Sequence, residues 1–176
     1  LKLSWQKQLA LSLRQKPNPD EPLRLAVLGV GSEINGDDAV GVLAVRRLHP
    51  RFGSCGRLLL REAGLAPENF SAPLRRFAPH WVVLIDAAEM DETPGTIGWF
   101  DWRVVGAGGG STHSLPLSVF GGFLATELGC QVGLLGVQPA RIEMDAPLTL
   151  LVRAALRRLT AGLGRILEKE MNDARP

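Results

Sequence analysis

The chain has 176 residues, of which 45% are hydrophobic and 22% charged, with a formal net charge of +2, the proportions of one ordinary globular domain. So small a charge leaves no electrostatic footprint for nucleic acid or an acidic membrane. Two cysteines, Cys55 and Cys130, have no CxxC spacing and are too few for a disulfide scaffold, so a reducing, cytoplasmic setting is expected.

The first 22 residues contain no unbroken apolar stretch of the length a signal h-region or a membrane span requires. An amphipathic helix through Leu3, Leu9, Leu11 and Leu13 is expected, broken by the prolines between Lys16 and Pro22. Residues 1–22 are read as an arm packing on the domain or a partner, 23–170 as a single α/β domain, and 171–176 as a tail. From Arg24 the pattern becomes regular. Leu25–Val30 is a continuous apolar run that suits a strand buried on both faces. A helix opens at Gly36-Asp37-Asp38 and runs to about Leu48, its acids placed where the positive end of the helix dipole favours them. Leu58–Arg61 is a short strand, and Pro67–Phe77 a helix with proline in its first turn. Trp81–Ile85 is the strongest strand and ends on Asp86. Thr96–Trp102 reads as a strand after the turn Glu92-Thr93-Pro94-Gly95. The glycine-rich stretch 106–110 leads to a helix from about Ser114 to Leu128, then a strand over Val132–Val137. A final helix spans about Ala146–Glu168, with Leu148, Leu151, Val152, Ala155, Leu159, Leu163 and Ile166 on one face. The arginine pairs 46–47, 75–76 and 157–158 read as solvated helix faces.

Strands alternating with helices at these lengths predict a three-layer α/β domain with a mostly parallel, twisted five-stranded sheet and helices on both faces. In such sheets sites lie beyond the carboxyl ends of the strands. The polar residues there are Ser32, Glu33, Asn35, Asp37 and Asp38 after the first strand, then Asp86, Glu89 and Asp91 after the third. Ser111, Thr112 and His113 follow the fourth, and Gln138, Arg141 and Glu143 the fifth. Asp38, Asp86 and His113 come from three different connections, and two carboxylates with one imidazole suit a divalent metal with open positions. Without a cation the carboxylates repel and one is pushed towards protonation. Each has a plainer reading: acids at a helix start, a turn cap at a strand end, a loop histidine.

Other chemistries fit less well. Gly29-Val30-Gly31 followed by Gly36 has the spacing GxGxxxxG, which fails the dinucleotide fingerprint; no Walker lysine follows, and Asp37 and Asp38 would repel a pyrophosphate. No GxSxG elbow supports a serine hydrolase, and neither cysteine lies at a strand end with a partner.

The segment Leu28-Gly29-Val30-Gly31-Ser32-Glu33-Ile34-Asn35-Gly36-Asp37-Asp38-Ala39-Val40-Gly41 resembles the opening motif of the hydrogenase maturation endopeptidases. The similarity continues through Gly64-Leu65-Ala66-Pro67-Glu68-Asn69, then Leu84-Ile85-Asp86-Ala87-Ala88-Glu89-Met90 with Pro94-Gly95. Ser111-Thr112-His113-Ser114-Leu115-Pro116-Leu117 and Leu135-Gly136-Val137-Gln138-Pro139 complete it. These motifs lie in order across residues 24–165 and look most like the hydrogenase-3 type. Ser32 stands where the family usually has asparagine, and Ala39 where many members have glycine.

The resemblance implies an endopeptidase that removes the C-terminal extension of a nickel-hydrogenase large-subunit precursor after nickel insertion. It places the family's metal-contacting positions on Asp38, Asp86 and His113. Nickel is then carried by the substrate as a recognition signal, a divalent cation can occupy the site of the isolated protein, and no organic cofactor is expected. A carboxylate or the metal would activate the attacking water, with Asp37 supporting the helix start. The glycine tract 106–110 is longer than the family suggests and is read as a loop gating His113. The expected partner is the precursor, with no nucleic acid and no membrane insertion, and the protein is expected to be a monomer. The alternatives are a non-catalytic chaperone for the metal-loaded precursor and a nucleotide-binding α/β enzyme.

Overall fold

The apolar run at Leu25 forms β1 (Leu25–Val30), which is buried at every position because it lies inside a sheet covered on both faces. The computed structural model describes residues 3–16, 20–104 and 116–172. Around β1 the order is α1 (Trp5–Leu13), β1, α2 (Val40–Phe52), β2 (Leu58–Gly64), α3 (Ser71–Phe77) and β3 (Trp81–Ala87). β4 (Ile97–Asp101), α4 (Leu117–Leu128), β5 (Gln131–Val137) and α5 (Leu150–Asn172) follow. The strands stand in the order β2-β1-β3-β5-β4. Four are parallel, and β4 closes one edge antiparallel to β5. This is the mostly parallel five-stranded α/β architecture that the sequence pattern predicts.

The period-2 alternation of side chains divides the core between two layers. Leu25 and Val27 of β1 and Trp81, Val83 and Ile85 of β3 pack with buried residues of α1, α2 and α5. Ala26, Leu28, Val82 and Leu84 face the other way, against Leu74 of α3 and Phe120 and Leu124 of α4. The six arginines at 46–47, 75–76 and 157–158 are all exposed, as expected of solvated faces.

Several elements depart from their expected bounds. The buried face of α1 is Trp5, Leu9 and Leu13, while Leu3 and Leu11 are exposed. The i, i+4, i+8 spacing makes one stripe, and Leu11 falls off it. The helix lies on the domain, held by Trp99 Nε1 donating to Ser12 Oγ at 3.0 Å and Trp81 Nε1 donating to the Gln15 carbonyl at 3.0 Å. The segment Gly36–Ala39 is a turn of 3-10 helix, and α2 proper continues to Phe52 with Pro50 in its last turn. The last helix begins at Leu150 and runs to Asn172, later at both ends than expected. The helix expected from Ser114 is seen from Leu117. The tract 106–110 lies outside the described residues.

What positions the site is the approach of α2 to the sheet. A Cβ on Gly41 would lie 2.1 Å from the Ile85 carbonyl oxygen and 2.3 Å from that of Val30. One on Gly29 would lie 2.2 Å from the Gly41 carbonyl oxygen. Three backbones therefore meet without side chains between them: the end of β1, the end of β3 and the first turn of α2. Gly41→Ala must force them apart, an overpacking that costs about 1–3 kcal/mol. Its melting temperature should fall by about 3–10 °C, whereas Gly56→Ala, with nothing within 4 Å of the added carbon, should leave it unchanged. Thermal unfolding of the two variants checks this.

Candidate active site

Asp38 and Asp86 reach one place from two elements. Asp86 is the sixth residue of β3, opposite Gly136 of β5. It therefore lies within the strand, not after it. Asp38 sits in the 3-10 turn that leads into α2. Its Oδ2 accepts the Ser32 N–H at 2.7 Å. Gly31, just before, has φ +115°, and a Cβ there would lie 1.9 Å from the Asp38 carbonyl oxygen. A left-handed glycine is thus what lets the chain fold back on Asp38. The same bond bears on the nucleotide alternative, because an amide of the glycine loop that would face a phosphate is taken by the protein's own carboxylate.

The two acids are electrostatically joined. Burial, and then the neighbouring Asp38 charge, hold the Asp86 carboxyl up at about 8, partly offset by the Ala87 N–H. Burial also raises Asp38, and the Ser32 N–H offsets part of that rise. At neutral pH the pair therefore holds one proton and one negative charge, as carboxylates sharing a site do. The donor set is hard oxygen and electron-rich, suited to a divalent cation.

Asp37 does different work from its neighbour. It is fully buried. Its Oδ2 accepts the Ala140 N–H at 2.9 Å, the Arg141 N–H at 3.0 Å and the Thr149 hydroxyl at 2.9 Å, and its Oδ1 accepts the Thr149 N–H at 2.7 Å. Asp37 thereby locks the β5–α5 connection and the start of α5 onto the turn that carries Asp38. Gln138, also buried, organises the next loop: its Oε1 accepts the N–H groups of Met90 (2.8 Å) and Glu92 (3.3 Å), and its Nε2 donates to Glu89 Oε1 (2.7 Å).

The remaining polar residues are dispersed. Glu33 is exposed and paired with Arg46 at 2.6 Å, and Arg141 pairs with Glu143 at 3.3 Å. Ser111, Thr112 and His113 lie outside the described residues. Among the described residues no group of three or more His, Cys, Asp or Glu side chains is placed to hold a metal ion. Burial pushes the Cys130 thiol up to about 11, so it is protonated at neutral pH and no nucleophile. Among the described carboxylates after the strands, Asp37, Glu33, Glu89 and Glu143 are each engaged by a partner, whereas Asp38 and Asp86 face each other. The glycine contacts and the locking role of Thr149 depend on residues far apart in the chain. The spacing of Gly29, Gly31 and Gly41 around the acidic pair was the available signal for the first.

Fold and site together define an α/β protein with a paired-carboxylate centre at the carboxyl edge of a parallel sheet. Comparison with known proteins narrows this. Residues 42–164 match the family model for hydrogenase maturation protease HycI. A relative from Methanocaldococcus jannaschii, assigned to the same kind of protease, is 31% identical over 152 residues, covering 83% of this chain and 89% of its own. The hydrogenase 3 maturation protease of Escherichia coli is 28% identical over 131 residues, covering 74% and 82%. The crystal structure of the [NiFe] hydrogenase maturation protease HycI from Thermococcus kodakarensis superimposes with a TM-score of 0.80 at 26% identity, over 92% of this chain and 99% of that one. The chain belongs to the hydrogenase maturation protease family.

The raised Asp86 carboxyl has a consequence for stability. The folded protein keeps a proton that the unfolded chain, with an aspartate pKa near ~3.9, has lost. Stability must therefore fall as pH rises from about 4 to about 8, and the loss is complete above that range. Asp86→Asn removes the titration. It should melt with the metal-free wild type near pH 4.5 and about 5 °C or more above it at pH 8.5, read by unfolding across that range.

Proposed function

We propose that this protein is the endopeptidase that removes a C-terminal extension from a nickel-containing hydrogenase large-subunit precursor, acting through Asp38, Asp86 and His113. The observation that carries the reading is the acidic pair: two carboxyls at the carboxyl edge of the sheet, sharing one negative charge, in a chain of a family that processes hydrogenase precursors.

Asp38, Asp86 and His113 are the positions we assign to contact with the nickel that the precursor carries. Nickel here belongs to the substrate and marks a precursor ready for cutting. The charge on the pair favours approach of a cation, and a cation beside it lowers both carboxyl pKa values. For hydrolysis, Asp38 as carboxylate takes a proton from water as that water attacks the scissile carbonyl. Asp86 as acid supplies the proton that the leaving amine nitrogen needs. The proton then passes back from Asp38 to Asp86 within the pair, so the centre returns to its starting state. Asp37 positions Asp38 and takes no part in proton transfer. Among the described residues no helix is long and apolar enough to cross a membrane.

Precursor with and without nickel, incubated with the protein and weighed intact, tests the reading. A discrete C-terminal loss with nickel alone is expected, reduced at least about 100-fold in rate for Asp38→Asn, Asp86→Asn and His113→Ala, the scale of losing a general acid or base. Normal processing by Asp38→Asn would sink the assignment. Stable binding of loaded precursor with no mass change, even for the wild type, would instead make the protein a maturation chaperone.

A further inference from the structure

Among the described residues ten large apolar side chains are exposed; four of them, Ile34, Leu65, Ile142 and Met144, lie in the connections on the carboxyl edge of the sheet, and Leu150 and Leu151 open α5 at the end of one of those connections. Clustering of this kind is what an interaction surface looks like, since single exposed apolar residues are otherwise scattered. Three of them share one ridge. Ile34 lies between β1 and the Asp38 turn, and Ile142 and Met144 lie between β5 and α5; they are 59%, 52% and 69% exposed. The two loops are pinned together by the backbone, with the Asp145 N–H donating to the Ile34 carbonyl at 2.7 Å and the Asp37 N–H to the Arg141 carbonyl at 3.1 Å. Behind them Asp37 fixes both loops from the buried side. The ridge is therefore preformed.

Its charge is also settled. Arg141 and Glu143, which alternate with Ile142 and Met144, pair with each other, so the ridge offers apolar side chains between mutually neutralised ones. Leu65 follows Gly64, whose carbonyl accepts the Gly31 N–H at 3.0 Å, and so stands on the other flank of the Ser32–Asp38 segment.

We infer that Ile34, Ile142 and Met144, with Leu65 opposite, form the docking surface for an apolar stretch of the hydrogenase precursor next to its scissile bond, and so set substrate choice. This rests on the proposed function, and it commits to the precursor because Ile34 lies in the connection that carries Asp38 and the loop of Ile142 and Met144 is bonded to that turn through the Asp37 N–H, beside the pair at which that precursor would be cut. The ridge residues bind and orient; they exchange no proton.

The test is a double variant, Ile142→Asp with Met144→Asp, alongside Ile142→Leu with Met144→Leu, and Leu11→Asp on the remote helix α1 as control. Binding of nickel-loaded precursor is measured by titration calorimetry, and processing by intact mass. The Asp pair should raise both Kd and KM at least about tenfold, with the loss falling on KM rather than kcat. The Leu pair and the Leu11 variant should match the wild type. All three exchanged positions are exposed, so melting temperatures should agree within about 2 °C. An unchanged Kd in the Asp pair would overturn the docking surface while leaving the catalytic reading intact. Conversely, Asp38→Asn should fail to cut, and normal cutting by it would overturn the catalytic reading alone. If the Asp pair instead disperses a dimer of this chain in sedimentation without altering precursor Kd, the ridge serves self-association and the inference fails.

Discussion

A bare contact between backbones governs this molecule. Gly29 and Gly41 let the first turn of α2 settle on the ends of β1 and β3, with the Gly41 position 2.1 Å from the Ile85 carbonyl for any added carbon. Ile85 precedes Asp86, and Gly41 follows Asp38 by three residues, so this contact is what brings two carboxylates into each other's field. Burial raises both carboxyls, and the Asp38 charge raises Asp86 further. An unfavourable arrangement of like charges is held in place by packing elsewhere, which is the usual mark of a functional centre. The Asp37 bonds to Ala140, Arg141 and Thr149 fasten the same turn from behind, so the pair cannot relieve its repulsion by moving apart.

The division of labour between adjacent aspartates follows from which way the 3-10 turn presents them. Asp37 is turned into the protein, where four hydrogen bonds satisfy its carboxylate. Asp38 accepts one main-chain N–H and remains partly open. A buried carboxylate saturated with donors is a structural fastener, whereas one that is half satisfied beside a second acid has capacity for a cation or a proton. Membership of a family that processes hydrogenase precursors gives that capacity a substrate.

Much of this could be read from the residues. The apolar runs at 25–30, 81–85 and 132–137 are buried strands because a parallel sheet hides both its faces, and composition alone marks that. The meeting of Asp38 with Asp86 was foreseeable because both sit at strand ends or helix starts on one edge. Sequence and structure differ where neighbouring elements decide the outcome. The start of α5 is delayed to Leu150 because Thr149 is held by Asp37, a partner more than a hundred residues away. Strand β3 extends through Asp86 because β5 continues alongside it to Val137, and pairing, not propensity, sets where a strand ends. In α1 the buried stripe follows Trp5, whose size lets it reach the core, where leucine count suggested another face. The clustering of Ile34, Ile142 and Met144 is likewise invisible in a linear reading, since it depends on two loops distant in the chain being tied together.

Titration of the aspartate side chains by carbon-13 NMR, in metal-free protein and in Asp38→Asn, addresses the coupled pair directly. The account predicts an Asp86 carboxyl that titrates near about 8 and moves down when the Asp38 charge is removed. An Asp86 that titrates near the ordinary value of ~4 in both proteins would contradict it, for then the contact between α2 and the sheet would not bring the two carboxylates together.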